Sequence, residues 1–192
     1  MQGTFLNIGY LVKERVKEFY RPEYSFVGSL SSEYAGFPDD WFMNPDINDF
    51  ECVSSVAHLP RLDPARSCLL RIEMYSVYWC FKERVVVPFP ARFIPEVVAC
   101  RGTERFLGYD LIEFPPPLID VPLRGFFSMV MVISPLFDSS LIPGAKLNTY
   151  GLVDELSEAL GPLKDYPFLH QNQRTVVRIF EVDLAAEAGV AD

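Results

Sequence analysis

The sequence predicts an α+β fold, a mainly antiparallel sheet with a few helices packed on one face. Three observations predict it. In Ser67 to Phe81, Leu70, Ile72 and Met74 alternate with Arg71, Glu73 and Tyr75, the period-2 signature of a half-buried strand. In Leu152 to Leu160, Leu152, Val153, Leu156 and Leu160 form an apolar helical face. Strand-type segments outnumber helical ones and do not alternate with them, which disfavours a parallel βαβ architecture.

The elements follow in order. Leu11 to Tyr20 reads as a short helix, with Leu11, Val12, Val16 and Phe19 on one face and Lys13, Glu14, Lys17 and Glu18 on the other; Arg21-Pro22 stops it. Residues 23–64 are rich in Ser, Gly, Pro, Asp and Asn and predict a loop-rich, acidic segment. Val85-Val86-Val87 offers a strand that Pro88 and Pro90 cut short. Phe106 to Phe114 reads as an edge segment before Pro115-Pro116-Pro117, itself a stiff loop, and Ser128 to Ser134 as a central strand. The helix at Leu152 has Asp154 and Glu155 in its first turn, Asn148 or Thr149 as its cap and Gly161-Pro162 as its stop. Thr175 to Leu184 is the final strand, and residues 185–192 form a frayed tail. The 192 residues fit a single domain, and no internal repeat is evident in the sequence.

A hydrophobic share of 49% is that of a globular protein, and no apolar run reaches the roughly 18 residues needed to span a bilayer. The N-terminus lacks the basic and apolar regions of a signal peptide, and Gln2 stands where N-myristoylation needs glycine. A cytoplasmic protein is expected, with no membrane association. Cys52, Cys68, Cys80 and Cys100 include no C-x-x-C pair and are expected to be reduced, buried thiols.

Catalytic patterns are missing. The nearest stretch to a nucleophile elbow, Gly28-Ser29-Leu30-Ser31, has Leu30 at the nucleophile position. Cys52 and His58 would make a thiol–imidazole pair only if the fold assembled them, and a core thiol with a loop histidine is the simpler reading. His170 lies in a polar connector. No glycine-rich phosphate loop occurs. Asp46-Ile47-Asn48-Asp49-Phe50-Glu51 begins like a calcium loop but has Phe50 at the third ligand position and Glu51 where the turn needs Gly. No catalytic residue, metal or cofactor is therefore assigned. With 17 basic against 26 acidic residues, the field of the chain opposes nucleic acid.

The acids are unevenly placed. Between Arg21 and Arg61 there is no Lys or Arg, while Glu23, Glu33, Asp39, Asp40, Asp46, Asp49 and Glu51 give that window −7 of the total −9. Tyr24, Phe26, Tyr34, Phe37, Trp41, Phe42 and Phe50 share it. Carboxylates that steer and rings that anchor suit the capture of a basic protein, and Asp39, Asp40, Trp41, Phe42, Asp46, Asp49 and Glu51 are the candidate partner-binding residues. The competing reading is a solvated acidic loop whose rings pack inward.

Phe106-Leu107-Gly108-Tyr109-Asp110-Leu111-Ile112 resembles the "LGYDV" block of bacterial immunity-like proteins encoded beside polymorphic toxins, and Leu147-Asn148-Thr149-Tyr150-Gly151-Leu152 is similar to an "LNxYGL" block that can follow it. The resemblance implies a cytoplasmic protein that neutralises one cognate toxin or effector by tight binding, without catalysis. It transfers no catalytic residue. Gly108 is expected to allow a turn and Asp110 to cap or pair locally. The alternatives are a non-catalytic adaptor or structural subunit of a bacterial assembly, and an enzyme with an unrecognised site at Asp39, Asp40, Cys52 and His58.

Overall fold

The computed structural model describes residues 3–14, 44–48, 50, 52–59, 67–80, 83–114, 127–128, 146–161 and 173–183. These form one seven-stranded sheet in which every pairing is antiparallel. The strands are β1 (Phe5–Glu14), β2 (Ser67–Tyr75), β3 (Val77–Cys80), β4 (Val85–Pro88), β5 (Thr103–Phe114), β6 (Phe127–Ser128) and β7 (Gln173–Asp183). β7 lies at the centre. It pairs with β2 and then β3 on one side and, along its whole length, with β5 on the other. β1 flanks β2, β4 flanks β3, and β6 adds a short pairing to the far side of β5.

The expected α+β fold with several helices on one face is corrected: among the described residues the helical elements are α1 (Leu156–Leu160) and two three-residue 3-10 turns, Val56–His58 and Ala91–Phe93. The reason is visible at Leu11 and Val12, expected on a helix but paired with Leu70 and Leu69 and fully buried. A strand covered on both faces shows no alternation, so its apolar neighbours imitate a helical face. Residues 15–20 of that expected helix lie outside the described residues. At Leu152 to Leu160 only the second half is helical, because Asn148 organises a loop instead of capping a helix and Val153 pairs with strand backbone. Strands stand at Ser67, Val85, Phe106 and Thr175 as expected, but the single strand expected over Ser67 to Phe81 is two, β2 and β3, separated at Ser76. β5, however, is no edge, since β7 covers one side and β6 and Val153 the other. Of the expected strand at Ser128 to Ser134, only Ser128 is described, in β6.

The sheet contains an internal duplication. In the first copy β1 is kinked by a bulge at Gly9, Val53 bridges the outer edge of β1 at Tyr10, a 3-10 turn follows, and the chain returns as β2 beside β1. In the second copy β5 bulges at Gly108, Val153 bridges Tyr109, α1 follows, and the chain returns as β7 beside β5. The sequence correspondence is Ile8-Gly9-Tyr10 with Leu107-Gly108-Tyr109, Ile47-Asn48 with Leu147-Asn148, Cys52-Val53 with Leu152-Val153, and Arg71-Ile72 with Arg178-Ile179. β2 and β7 pair antiparallel with Ile72 opposite Ile179, so a pseudo-twofold axis passes through the sheet between these two residues.

Asn48 and Asn148 hold the two copies of the loop in the same way. Asn48 donates from Nδ2 to Ile8 O at 2.9 Å, and its Oδ1 accepts from Phe50 N at 2.9 Å and Cys52 N at 3.3 Å. Asn148 donates to Leu107 O at 2.8 Å and accepts from Tyr150 N at 2.9 Å and Leu152 N at 3.2 Å. Each asparagine thus satisfies strand and loop backbone groups that burial would otherwise leave without partners. The glycines are required by the same contact. Gly9 and Gly108 have φ of 130° and 146°, and a Cβ at Gly9 would stand 2.6 Å from Val53 O, one at Gly108 2.7 Å from Leu152 Cβ.

One face of the sheet buries Leu70, Ile72 and Met74 of β2 with Val177 and Ile179 of β7, the centre of the main core. On the opposite face Tyr75, Leu111, Val153, Val176 and Ala159 of α1 form a second, smaller cluster. Asp110 does not cap a turn; it is fully buried within β5. Cys52, Cys68 and Cys80 are buried in the main core, and Cys100 is half-buried against it. No helix among the described residues is long and apolar enough to cross a membrane.

Candidate functional site

The alternation that buries Ile72 and Ile179 on one face turns their neighbours Arg71, Glu73, Arg178 and Phe180 to the other, around the pseudo-twofold axis. Both carboxylate oxygens of Glu73 are used, Oε1 by Arg71 Nη1 and Oε2 by Arg178 Nε. Arg71 also grips Glu104 of β5 bidentately, Nε to Oε1 and Nη2 to Oε2, both at 2.6 Å. The Arg71 guanidinium lies 4.2 Å from the Phe180 ring centroid, and that of Arg178 lies 4.4 Å from the Phe5 centroid. Tyr109 and Phe106 extend this ring surface: Phe5–Tyr109 centroids are 6.0 Å apart, Phe106–Tyr109 5.0 Å and Phe106–Phe180 5.5 Å.

Burial differs across the cluster. The Arg71 and Glu73 side chains are 11% and 12% exposed, whereas that of Arg178 is 34% exposed and Phe106 as a residue 42%. Burial on its own would lower the Arg71 pKa; hydrogen bonds to Glu104 and Glu73 overcome it and hold the group above its ordinary value. The arrangement is a charge-compensated cluster of two arginines and two carboxylates with an outer aromatic rim. Tyr, Phe and Arg are the residue types that dominate protein-interface anchors.

The residues predicted from sequence stand elsewhere. Asp39, Asp40, Trp41, Phe42, Asp49 and Glu51 lie outside the described residues. Asp46 is exposed, with Oδ2 3.7 Å from His58 Nδ1 and its backbone N–H bonded to Asn44 Oδ1 at 2.9 Å. Cys52 is fully buried, while the His58 side chain is 46% exposed and turned to Asp46. The calcium-like stretch owes its spacing to the anchor Asn48. Among the described residues no group of three or more His, Cys, Asp or Glu is placed to hold a metal ion. Sequence reasoning took Arg71 as the polar side of an alternating strand and did not single out Arg178. The signal that would have found them is the repeated Leu69-Leu70-Arg71-Ile72 and Val176-Val177-Arg178-Ile179.

Comparison with protein-family models, with curated proteins and with solved structures finds no match.

Proposed function

We propose that the protein acts by binding and not by turnover, as an immunity protein that captures and neutralises a cognate basic toxin or effector. The observation that carries this reading is the concentration of −7 of the net −9 charge, together with seven aromatic residues, between Arg21 and Arg61. Such a segment steers and anchors a basic partner. The resemblance to immunity-like proteins adds support. Its two blocks form one unit in space, with Asn148 donating to Leu107 O and Tyr109 exchanging backbone bonds with Val153 at 2.7 and 2.9 Å. On this reading the duplicated sheet is the scaffold. The acidic segment follows the first strand in sequence and includes the Asn48 loop, with Asp46, Asp49 and Glu51 beside Asn48.

Co-expression with the product of the neighbouring reading frame tests the proposal, which expects that product to be a toxin or effector. The expected result is rescue of growth and a stable complex in titration calorimetry, with affinity falling as salt shortens the Debye length from ~10 Å at ~0.1 M to ~3 Å at ~1 M. The double substitution Asp39→Lys with Asp40→Lys is expected to abolish rescue while leaving the melting temperature nearly unchanged. Trp41→Ala is expected to weaken the complex by about 2 kcal/mol or more. Affinity independent of salt and of the two lysines would remove the acidic segment from the interface, and failure to form any complex would overturn the proposal.

A further inference from the structure

We propose that the fork of Arg178 is a carboxylate-binding site, and that the internal duplication shows what it takes. The pseudo-twofold axis makes Arg178 the equivalent of Arg71, Phe180 of Glu73, and Phe5 of Glu104. The contacts obey that correspondence. Arg71 meets Phe180 across the strand pair and reaches Glu104 on the other copy's first strand; Arg178 meets Glu73 across the same pair and reaches Phe5 on the other copy's first strand. Where the first arginine is gripped by a carboxylate, the second has a ring.

The consequence is chemical. Arg71 spends Nε and Nη2 on Glu104 and Nη1 on Glu73. Arg178 spends Nε on Glu73, and among the described residues its Nη1 and Nη2 meet no acceptor. Its side chain is a third exposed, and its plane is flanked by Phe5 at 4.4 Å and Phe180 at 5.4 Å. Glu73 and the two rings fix the guanidinium, so little freedom is lost when a ligand arrives. A planar guanidinium edge favours a carboxylate held bidentately. The rings of Phe5 and Tyr109 beside it, and the exposed Phe106 beyond, favour a flat apolar group attached to that carboxylate. The ligand class is therefore an aromatic carboxylate, supplied either as a free acid or as an acidic side chain next to an aromatic residue of a protein.

The test follows the arginine Nε–H resonances of the isotopically labelled full chain by NMR. Phenylacetate is expected to shift the Arg178 signal saturably, and phenylacetamide, the uncharged analogue, is not. A blocked peptide with one Glu next to Phe forms the second arm. Tighter binding of the peptide assigns the carboxylate to a protein, and tighter binding of phenylacetate to a free acid. Arg178→Gln is expected to weaken either ligand at least tenfold. Because that substitution also leaves Glu73 with one arginine, Phe5→Glu supplies an independent check. It reproduces the Glu104 arrangement in the second copy and is expected to fold, to fill the fork from within and to abolish binding. Equal shifts from acid and amide, no shift from either carboxylate, or unchanged binding in folded Phe5→Glu would each overturn the proposal.

Discussion

Ile72 of β2 stands directly opposite Ile179 of β7, and the two halves of the sheet are arranged about that pair. Each isoleucine is fully buried and is preceded by an arginine on the opposite face. The identity of the two dipeptides follows from the symmetry, since residues that meet across a twofold axis have the same surroundings. What differs between the copies is the partner of each arginine: Glu104 holds Arg71 bidentately, whereas among the described residues the Arg178 guanidinium bonds Glu73 alone and lies beside Phe5.

The bulge glycines make the first prediction. Gly9→Ala and Gly108→Ala each place a Cβ against loop backbone or a loop side chain at a φ that L-residues rarely adopt. Either is expected to destabilise the protein by about 2–3 kcal/mol, whereas the same exchange at an ordinary backbone conformation stabilises by ~0.4–1 kcal/mol. Urea unfolding of the two variants measures it. A loss below ~0.5 kcal/mol in both would show that the loops yield freely and do not brace the strands.

A second prediction concerns the paired asparagines. Asn48→Ala removes three side-chain hydrogen bonds and Asn148→Ala four, one in each set tying the loop to its strand and the rest bracing the loop itself. A cost of about 2–4 kcal/mol is expected for each, because backbone donors and acceptors lose their partners inside the structure. Amide exchange at Phe50 and Cys52, or at Tyr150 and Leu152, is expected to accelerate in the matching variant only. Acceleration in both loops from one substitution would contradict independent anchoring.

The strands at Ser67, Val85, Phe106 and Thr175 were legible because each carries alternation or a β-branched run between turn signals. The duplication was not, although both Gly-Tyr pairs and both Asn-containing loops are present in the sequence. About 40 residues separate Gly9 from Asn48, and a similar stretch separates Gly108 from Asn148, with unrelated composition between them. Only four short, discontinuous matches survive, too few to register as a repeat without the pairing of β2 with β7. Asn148 shows a second limit. An asparagine before an acidic, apolar segment suits a helix cap, and the same side chain suits a loop that bonds its own backbone. Sequence cannot choose between them when the deciding acceptor, Leu107 O, is supplied by a distant strand.

Tyr10 provides a prediction in pH. It is fully buried, donates to Val98 O at 3.2 Å and accepts from Cys100 N at 2.9 Å. Burial raises its pKa, and does the same to Tyr78. Above the unfolded tyrosine pKa of about 10 the unfolded chain has released the proton while the folded one keeps it, so stability is full below pH ~10 and falls as pH rises toward the folded value. Tyr10→Phe is expected to cost about 1–2 kcal/mol at neutral pH through the lost bonds, and to make the decline above pH ~10 shallower. Thermal melts of both proteins from pH 7 to 11 measure this. Parallel declines would show that Tyr10 does not titrate with unfolding.

The last prediction uses the symmetry itself. Glu73 is held between Arg71 on its own strand and Arg178 on the opposite one, and position 180 faces the same two arginines from the other side. Glu73→Phe removes the shared carboxylate. Breaking a buried ion pair costs ~3–5 kcal/mol, discounted here to about 2–3 kcal/mol because Arg71 keeps Glu104 and Arg178 reaches solvent. Phe180→Glu alone adds a third carboxylate to Glu73 and Glu104 and loses the ring under Arg71, so it too is expected to destabilise. In the double variant the carboxylate moves across the axis, where Arg178 becomes its same-strand neighbour and Arg71 the one opposite. The two losses are therefore expected not to add, with a favourable coupling of at least about 1 kcal/mol between the substitutions. Urea unfolding of the two single variants and the double variant closes the cycle. Simple additivity would show that the two sides of the axis are not equivalent in energy, however closely their backbones correspond.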